Sequence, residues 1–222
     1  MEAEDEFTRN LKWNVAKLFE AYLKSTVPDE PDVEPLVYLS PLENLAITNA
    51  KDRNIKWTPE ELDQTAEAVE YGSLKYADLK NNRLKDYKFN ADQMLNDNVN
   101  TAVYLLYAHA RICSIIQKSG KDIDELKKTG KVMLHHADER ALELQLIQFS
   151  ETVEEACNNL LPNVLCKYLY SLSEYYNKFH SNPNCQVIGS EQETSRLLLC
   201  EATVIVMRKC FHLLGVTPVY KL

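Results

Sequence analysis

The chain has 222 residues and a mass of 25.6 kDa, enough for one large domain or two small ones. Its composition is 45% hydrophobic and 26% charged, with a mean hydropathy of −0.36, ordinary for a globular protein in water. The formal charge of −8 opposes strong non-specific nucleic-acid binding but leaves room for a local basic face.

No uncharged apolar run approaches the ~20 residues of a membrane span, and the acidic start (Glu2, Glu4, Asp5, Glu6) is unlike a signal peptide. Glycines 72, 120, 130, 189 and 215 lie too far apart for a glycine-rich phosphate loop. Low glycine, frequent Leu, Ala, Glu and Lys and no hairpin dipeptides predict an all-α fold, a helical bundle.

In chain order, residues 1–27 carry a first amphipathic helix, with Phe7, Leu11, Val15, Leu18, Phe19 and Tyr22 at three- and four-residue spacings. Residues 28–56 follow as an acidic, proline-rich linker and an irregular segment. Pro28, Pro31 and Pro35 interleaved with four acids cannot remain helical. Nine acids against four bases give residues 1–34 a net charge of −5, more than half of the whole imbalance.

The third region, 57–222, reads as a helical domain. Thr58-Pro59-Glu60-Glu61 is a helix start, running to about Leu79 with Leu62, Ala66, Val69, Leu74 and Ala77 inward. Asn100-Thr101 opens a helix to about Lys118, stopped by Gly120. A short helix is expected at 122–134, one continuous helix at 137–160, another at 162–180 begun by Pro162, and a central apolar helix at 191–214 closed by Gly215 and Pro218.

Catalytic groupings do not emerge. The five histidines lack helical partners at metal-ligand spacing, no Ser-His-Asp or Cys-His arrangement stands out, and Glu154-Glu155 reads as a solvated face. No metal site and no catalytic residue is therefore expected. The six cysteines show no C-x-x-C pair and fall mostly at apolar helical positions, so they are expected as free thiols.

Aromatic and basic residues are the more informative signal. Tyr104, Tyr107 and Arg111 fall at i, i+3 and i+7 on one face of the 101–118 helix, opposite a stripe of Leu106, Ala110, Cys113 and Ile116. Two phenol rings beside a guanidinium can stack on unpaired bases and hold a phosphate. They can equally be a tyrosine pair packed at the bundle surface with an ordinary ion pair. Lys75, Lys80, Arg83, Lys85 and Lys88 against Asp78 and Asp86 make a second stretch of net +3, readable as a nucleic-acid face or as a solvated helix end. The rings of Tyr168, Tyr170, Tyr175, Tyr176 and Phe179 are expected mostly in the core.

Three segments carry a family resemblance. Tyr71-Gly72-Ser73-Leu74-Lys75-Tyr76-Ala77-Asp78-Leu79, with Asn81-Asn82-Arg83-Leu84, resembles the segment after the signature loop of class I arginyl-tRNA synthetases. Residues 100–112 (Asn-Thr-Ala-Val-Tyr-Leu-Leu-Tyr-Ala-His-Ala-Arg-Ile) resemble that family's anticodon-binding helix, and 213–219 its closing motif. The resemblance is to plant cytosolic members, covers about 57–222, and extends to residues 5–37, which look like the start of the family's N-terminal domain.

The resemblance implies an anticodon-binding bundle of the DALR type, a cytoplasmic location and tRNA(Arg) as partner, with no DNA or membrane role. It names Tyr107 and Arg111 as leading RNA contacts, Tyr104 and Arg196 as secondary ones, and Lys75 and Arg83 as phosphate neutralisers. The family uses ATP and Mg, but neither a His-x-Gly-His motif nor a Lys-Met-Ser-Lys setting occurs here. A truncated form without its own ATP and arginine site is the expectation, inactive alone and using no cofactor. The alternative is an inert interaction module or decoy docking on the full-length synthetase. His180 stands where the family has an aromatic residue, and Tyr220-Lys221-Leu222 where many relatives have Glu-Arg-Met.

Overall fold

A computed structural model describes residues 58–88, 94 and 100–221. The expected helix within 1–27 and the 28–56 linker lie outside the described residues. Among the described residues there are seven α-helices and no strand: α1 (Pro59–Leu79), α2 (Ala102–Ser119), α3 (Ile123–Thr129), α4 (Ala137–Ile147), α5 (Phe149–Asn159), α6 (Pro162–Ser181) and α7 (Glu193–Leu213), with a 3-10 turn at Pro183–Cys185. The all-α expectation holds.

Local chemistry sets the helix ends. Thr58 Oγ1 accepts the Glu61 N–H at 3.2 Å while Glu61 Oε2 accepts the Thr58 N–H at 3.1 Å, a reciprocal cap that starts α1. Thr101 Oγ1 caps α2 by accepting the Tyr104 N–H at 3.3 Å. Asn100 is otherwise engaged, its side-chain oxygen accepting from the Tyr76 hydroxyl at 2.7 Å. Gly120 (φ 63) and Gly215 (φ 66) turn the chain in the left-handed region after α2 and α7, where a Cβ is disfavoured.

Three expectations need correction. The continuous helix over 137–160 is two helices, broken at Gln148 (φ −70, ψ −4), which ends α4 and begins α5. Both halves pack on α6, with the Phe149 ring 5.9 Å from Tyr168, so the bend follows a tertiary surface and not a breaker residue. The helix expected over 122–134 stops at Thr129. Beyond it Met133 is pinned through both its N–H (2.8 Å) and its carbonyl (3.0 Å) by the Ser195 hydroxyl. On α1, Ala66, Val69 and Ala77 face inward as expected, but Leu74 is 53% exposed and Ser73 and Tyr76 take the buried positions beside it.

The core lies around α6 and α7. α6 packs against α1, α2, α4, α5 and α7, and α7 against α2, α3, α4 and α6. Tyr76, Leu105, Leu106, Ile112, Leu142, Leu169, Leu172, Tyr176, Phe179, Leu197, Met207 and Phe211 are fully buried between them. Tyr168, Tyr176 and Phe179 are core rings as expected, whereas Tyr175 is exposed. All six cysteines are free, and burial pushes the Cys200 thiol up to about 12.

Candidate nucleic-acid interface

α2 and α6 pack against each other along a seam. At about 100° per residue, Tyr104, Tyr107 and Arg111 stay within about 60° of one another on α2. Tyr104 is half-buried in the seam: its hydroxyl accepts from Asn177 Nδ2 at 2.6 Å, and its ring lies 5.7 Å from that of Tyr170. Glu174 sits close enough for its charge to raise the ionisation range of both phenols, after burial itself. This end of the seam is therefore neutral or acidic, suited to a base more than to a phosphate.

The other end is cationic. Tyr107 is half-buried, and one turn on Arg111 is exposed, with no hydrogen bond or ion pair to a described residue. Opposite, His180 in the last turn of α6 stacks on the buried Tyr176 ring, with centroids 5.9 Å apart and planes 5° from parallel. Burial lowers the His180 ionisation range and the Arg111 charge lowers it further, so the imidazole is neutral at physiological pH. A guanidinium thus stands beside a flat neutral ring on a rigid aromatic base.

The remaining expected contacts lie elsewhere. Lys75 Nζ donates to the Gly215 carbonyl at 2.7 Å and Arg83 Nε to the Leu160 carbonyl at 2.6 Å, so each satisfies an acceptor just past a helix C-terminus. Lys80 Nζ likewise donates to the Asn100 carbonyl at 2.9 Å. Lys85 and Lys88 are exposed.

Arg196 is the correction. Its side chain is only 8% exposed and pairs with Glu139, itself 1% exposed. Nε donates to Glu139 Oε1 at 2.7 Å, Nη1 to the Gln186 carbonyl at 2.8 Å and Nη2 to the Asn184 carbonyl at 2.8 Å. All three guanidinium nitrogens are spent inside the fold, and Arg196 cannot reach an RNA. The seam in turn adds Tyr170, Asn177 and His180. The first two were legible as i and i+7 on one face of α6, a spacing that also fits a core stripe.

Comparison with known proteins decides the family. Residues 105–222 match the family model described as DALR anticodon binding domain. The chain belongs to that family. The DALR match runs from residue 105, in the first turn of α2, through to the segment after α7, hence all of the described seam but Tyr104. Residues 42–91, which include α1, match a second model, tRNA synthetases class I (R), catalytic domain.

Relatives of this DALR chain include two proteins of Arabidopsis thaliana. It is 76% identical over 176 residues to arginine–tRNA ligase, chloroplastic/mitochondrial, covering 79% of this chain and 27% of that protein. It is 75% identical to arginine–tRNA ligase, cytoplasmic, covering 79% of this chain and 29% of that one. The crystal structure of Plasmodium falciparum arginyl-tRNA synthetase superposes with a TM-score of 0.73 at 33% identity, over 86% of this chain and 34% of that one. The chain spans under a third of the length of the two Arabidopsis relatives and about a third of the Plasmodium chain.

Proposed function

We propose that this chain binds tRNA(Arg) through its anticodon loop at the α2–α6 seam. Unpaired loop bases stack on Tyr107 and His180, Tyr104 and Asn177 meet a base edge, and Arg111 holds the adjoining phosphate. Lys85 and Lys88 add to the field, while Lys75 and Arg83 contribute charge from positions fixed by carbonyls. The observation that carries this reading is the exposed Arg111 beside the stacked His180–Tyr176 pair within a DALR anticodon binding domain.

The organisation that goes with it is an N-terminal helix (1–27), a linker (28–56) and an anticodon-binding unit (57–222). On this reading the chain has no ATP and arginine site of its own, so purified protein charges no tRNA when given ATP and arginine. A cytoplasmic location is supported by the free thiols and by the cytoplasmic relative.

A gel shift with an arginine tRNA transcript beside an unrelated tRNA, at two salt concentrations, tests the reading. Binding should favour the arginine tRNA and weaken with salt, and Arg111→Ala should reduce the log–log salt slope by about 0.7, the value for one contact on a single strand. Tyr107→Ala combined with Arg111→Ala should weaken it by at least tenfold, stacking being worth about 1–3 kcal/mol per base. Affinity insensitive to both salt and the double substitution refutes it.

One observation favours a second reading. Tyr71 (54% exposed) and Leu74 lie one turn apart on α1, within the segment that matches the catalytic-domain model. Such an apolar pair suits docking on a full-length synthetase as an interaction module. A pull-down that recovers the synthetase and no tRNA would favour it.

A further inference from the structure

The side of the bundle away from the seam is formed by α4 and α5. On α6, Tyr168 and Tyr175 stand about 140–180° around the axis from the seam residues Tyr170 and Asn177. Tyr168 donates its hydroxyl to the Gln145 carbonyl at 2.9 Å, and Lys178 Nζ pairs with Asp138 Oδ1 at 3.1 Å. α4 therefore runs antiparallel to α6 on that side, with the partly exposed Tyr175 beside its middle. Gln148 keeps right-handed helical angles (φ −70, ψ −4), and the Thr152 N–H reaches its carbonyl at 3.0 Å. The outward faces of α4 and α5 thus continue one another across the bend.

That outward face is apolar and then acidic. Leu142, Leu146, Phe149, Val153 and Ala156 turn inward against the core. Leu144 and Ile147, one turn apart, are 61% and 65% exposed, more than any other large apolar side chain of the described residues except Leu84. Glu151, Glu154 and Glu155 share the face, the five residues falling within about 100° of one another, and Glu143 flanks Leu144. Residues 141–166 hold these four glutamates and no other charged residue, a net charge of −4. None of the four carboxylates makes an ion pair with a described residue. Two large aliphatic side chains held a turn apart on a packed helix leave an apolar strip in water, and contact with an apolar partner removes it.

We propose that this face docks a basic amphipathic helix of another protein. The leucine-type stripe of that helix covers Leu144, Ile147 and the Tyr175 ring, while lysines or arginines beside the stripe meet Glu143, Glu151, Glu154 and Glu155. Charge decides the occupant. A nucleic acid or an anionic lipid surface is repelled, and a second copy of the chain joined through the same face would set four carboxylates against four. The face shares no residue with the seam or with the Tyr71–Leu74 pair on α1, so the proposal stands apart from both readings above.

The test is fluorescence anisotropy of the full chain with a labelled leucine–lysine peptide of about 18 residues, its leucines at i, i+3, i+4 and i+7, beside a scrambled peptide of the same composition. The helical peptide should bind about tenfold tighter or more than the scrambled one, because only it presents a continuous apolar stripe. Leu144→Gln with Ile147→Gln replaces two exposed side chains by a good helix former and should weaken binding about tenfold or more. Glu151→Gln, Glu154→Gln and Glu155→Gln together should weaken it about three- to tenfold and flatten its salt dependence. Asp63→Asn, Glu67→Gln and Glu191→Gln, an equal loss of charge elsewhere on the surface, should stay within about twofold of the parent. Circular dichroism checks that every variant keeps its helical content. No binding by the parent, equal binding of the scrambled peptide, equal losses in the two charge variants, or an affinity unchanged in the Leu144–Ile147 variant overturns the proposal. A parent dimer in sedimentation that is lost in that variant gives the face to a second copy and overturns it as well.

Discussion

Arg196→Met separates a structural cation from an RNA contact. The substitution keeps most of the side-chain volume but removes the guanidinium from Glu139 and from the carbonyls of Gln186 and Asn184. Glu139 keeps the N–H groups of His135 at 2.7 Å and His136 at 2.9 Å, both on Oε2, so Oε1 is left buried without its charged partner. Breaking one side of a buried ion pair costs about 3–5 kcal/mol, because the remaining charge is stranded. For a domain of this size each kcal/mol moves Tm by about 2–4 °C, so thermal unfolding followed at 222 nm should show a drop of roughly 6–20 °C. Glu139→Gln should be milder, and Glu139→Gln with Arg196→Met should cost less than the sum of the two. The salt slope of tRNA binding should not change. A Tm within about 2 °C of the parent, or a slope reduced as for Arg111→Ala, refutes the buried-clamp account of Arg196.

Acid should act through the same cluster. Burial would raise the Glu139 carboxyl, but the His136 N–H and the Arg196 guanidinium hold it below the ordinary carboxylate range, and Asn182 and then Lys178 do the same for Asp138. Below the unfolded carboxylate pKa of about 4 the unfolded chain binds the extra protons first, so stability is full at neutral pH and is lost as pH falls through the depressed folded values. Tm measured from pH 7 to pH 3 should fall in that acid range, and less steeply in Glu139→Gln; an equal fall in both would rule out Glu139 as a source. Leu160 caps α5 at φ 52, ψ 44, a left-handed conformation that disfavours a leucine. Leu160→Asn should therefore raise stability by about 0.5–1 kcal/mol, read as a Tm increase of about 1–4 °C, and a decrease would show that the partly exposed leucine contributes more by packing than it costs in strain.

Helix starts were legible because their chemistry is local. Thr58 with Glu61, Thr101, Pro162 and the terminators Gly120 and Gly215 all act within four residues of themselves, and the matching helix ends fall within two residues of expectation. The break at Gln148 carries no proline or glycine and is imposed by packing on α6. His136, an unusual cap that accepts the Asp138 N–H through Nδ1 at 3.0 Å, is no more visible from composition. In the site, the Tyr104, Tyr107 and Arg111 face followed from helical periodicity alone. The fates of Lys75, Arg83 and Arg196 did not, because their partners lie 140, 77 and 57 residues away in the chain. Arginine at an apolar-flanked helical position reads as a surface charge until the carboxylate that buries it is known.

These long-range bonds also bear on how a chain of net charge −8 would meet a polyanion on the proposed reading. Lys75, Lys80, Arg83 and Arg196 donate to main-chain carbonyls that the helices leave open at their ends and in the loops. Counting bases along the sequence therefore overstates the charge free to meet phosphate. Arg111, which makes no such bond among the described residues, gains weight accordingly. Salt weakens its phosphate contact but equally screens the overall repulsion, whose reach at physiological ionic strength is only about 8 Å. The salt slope should consequently be shallow, a few phosphates' worth, with discrimination between tRNAs coming from the stacked rings more than from the field.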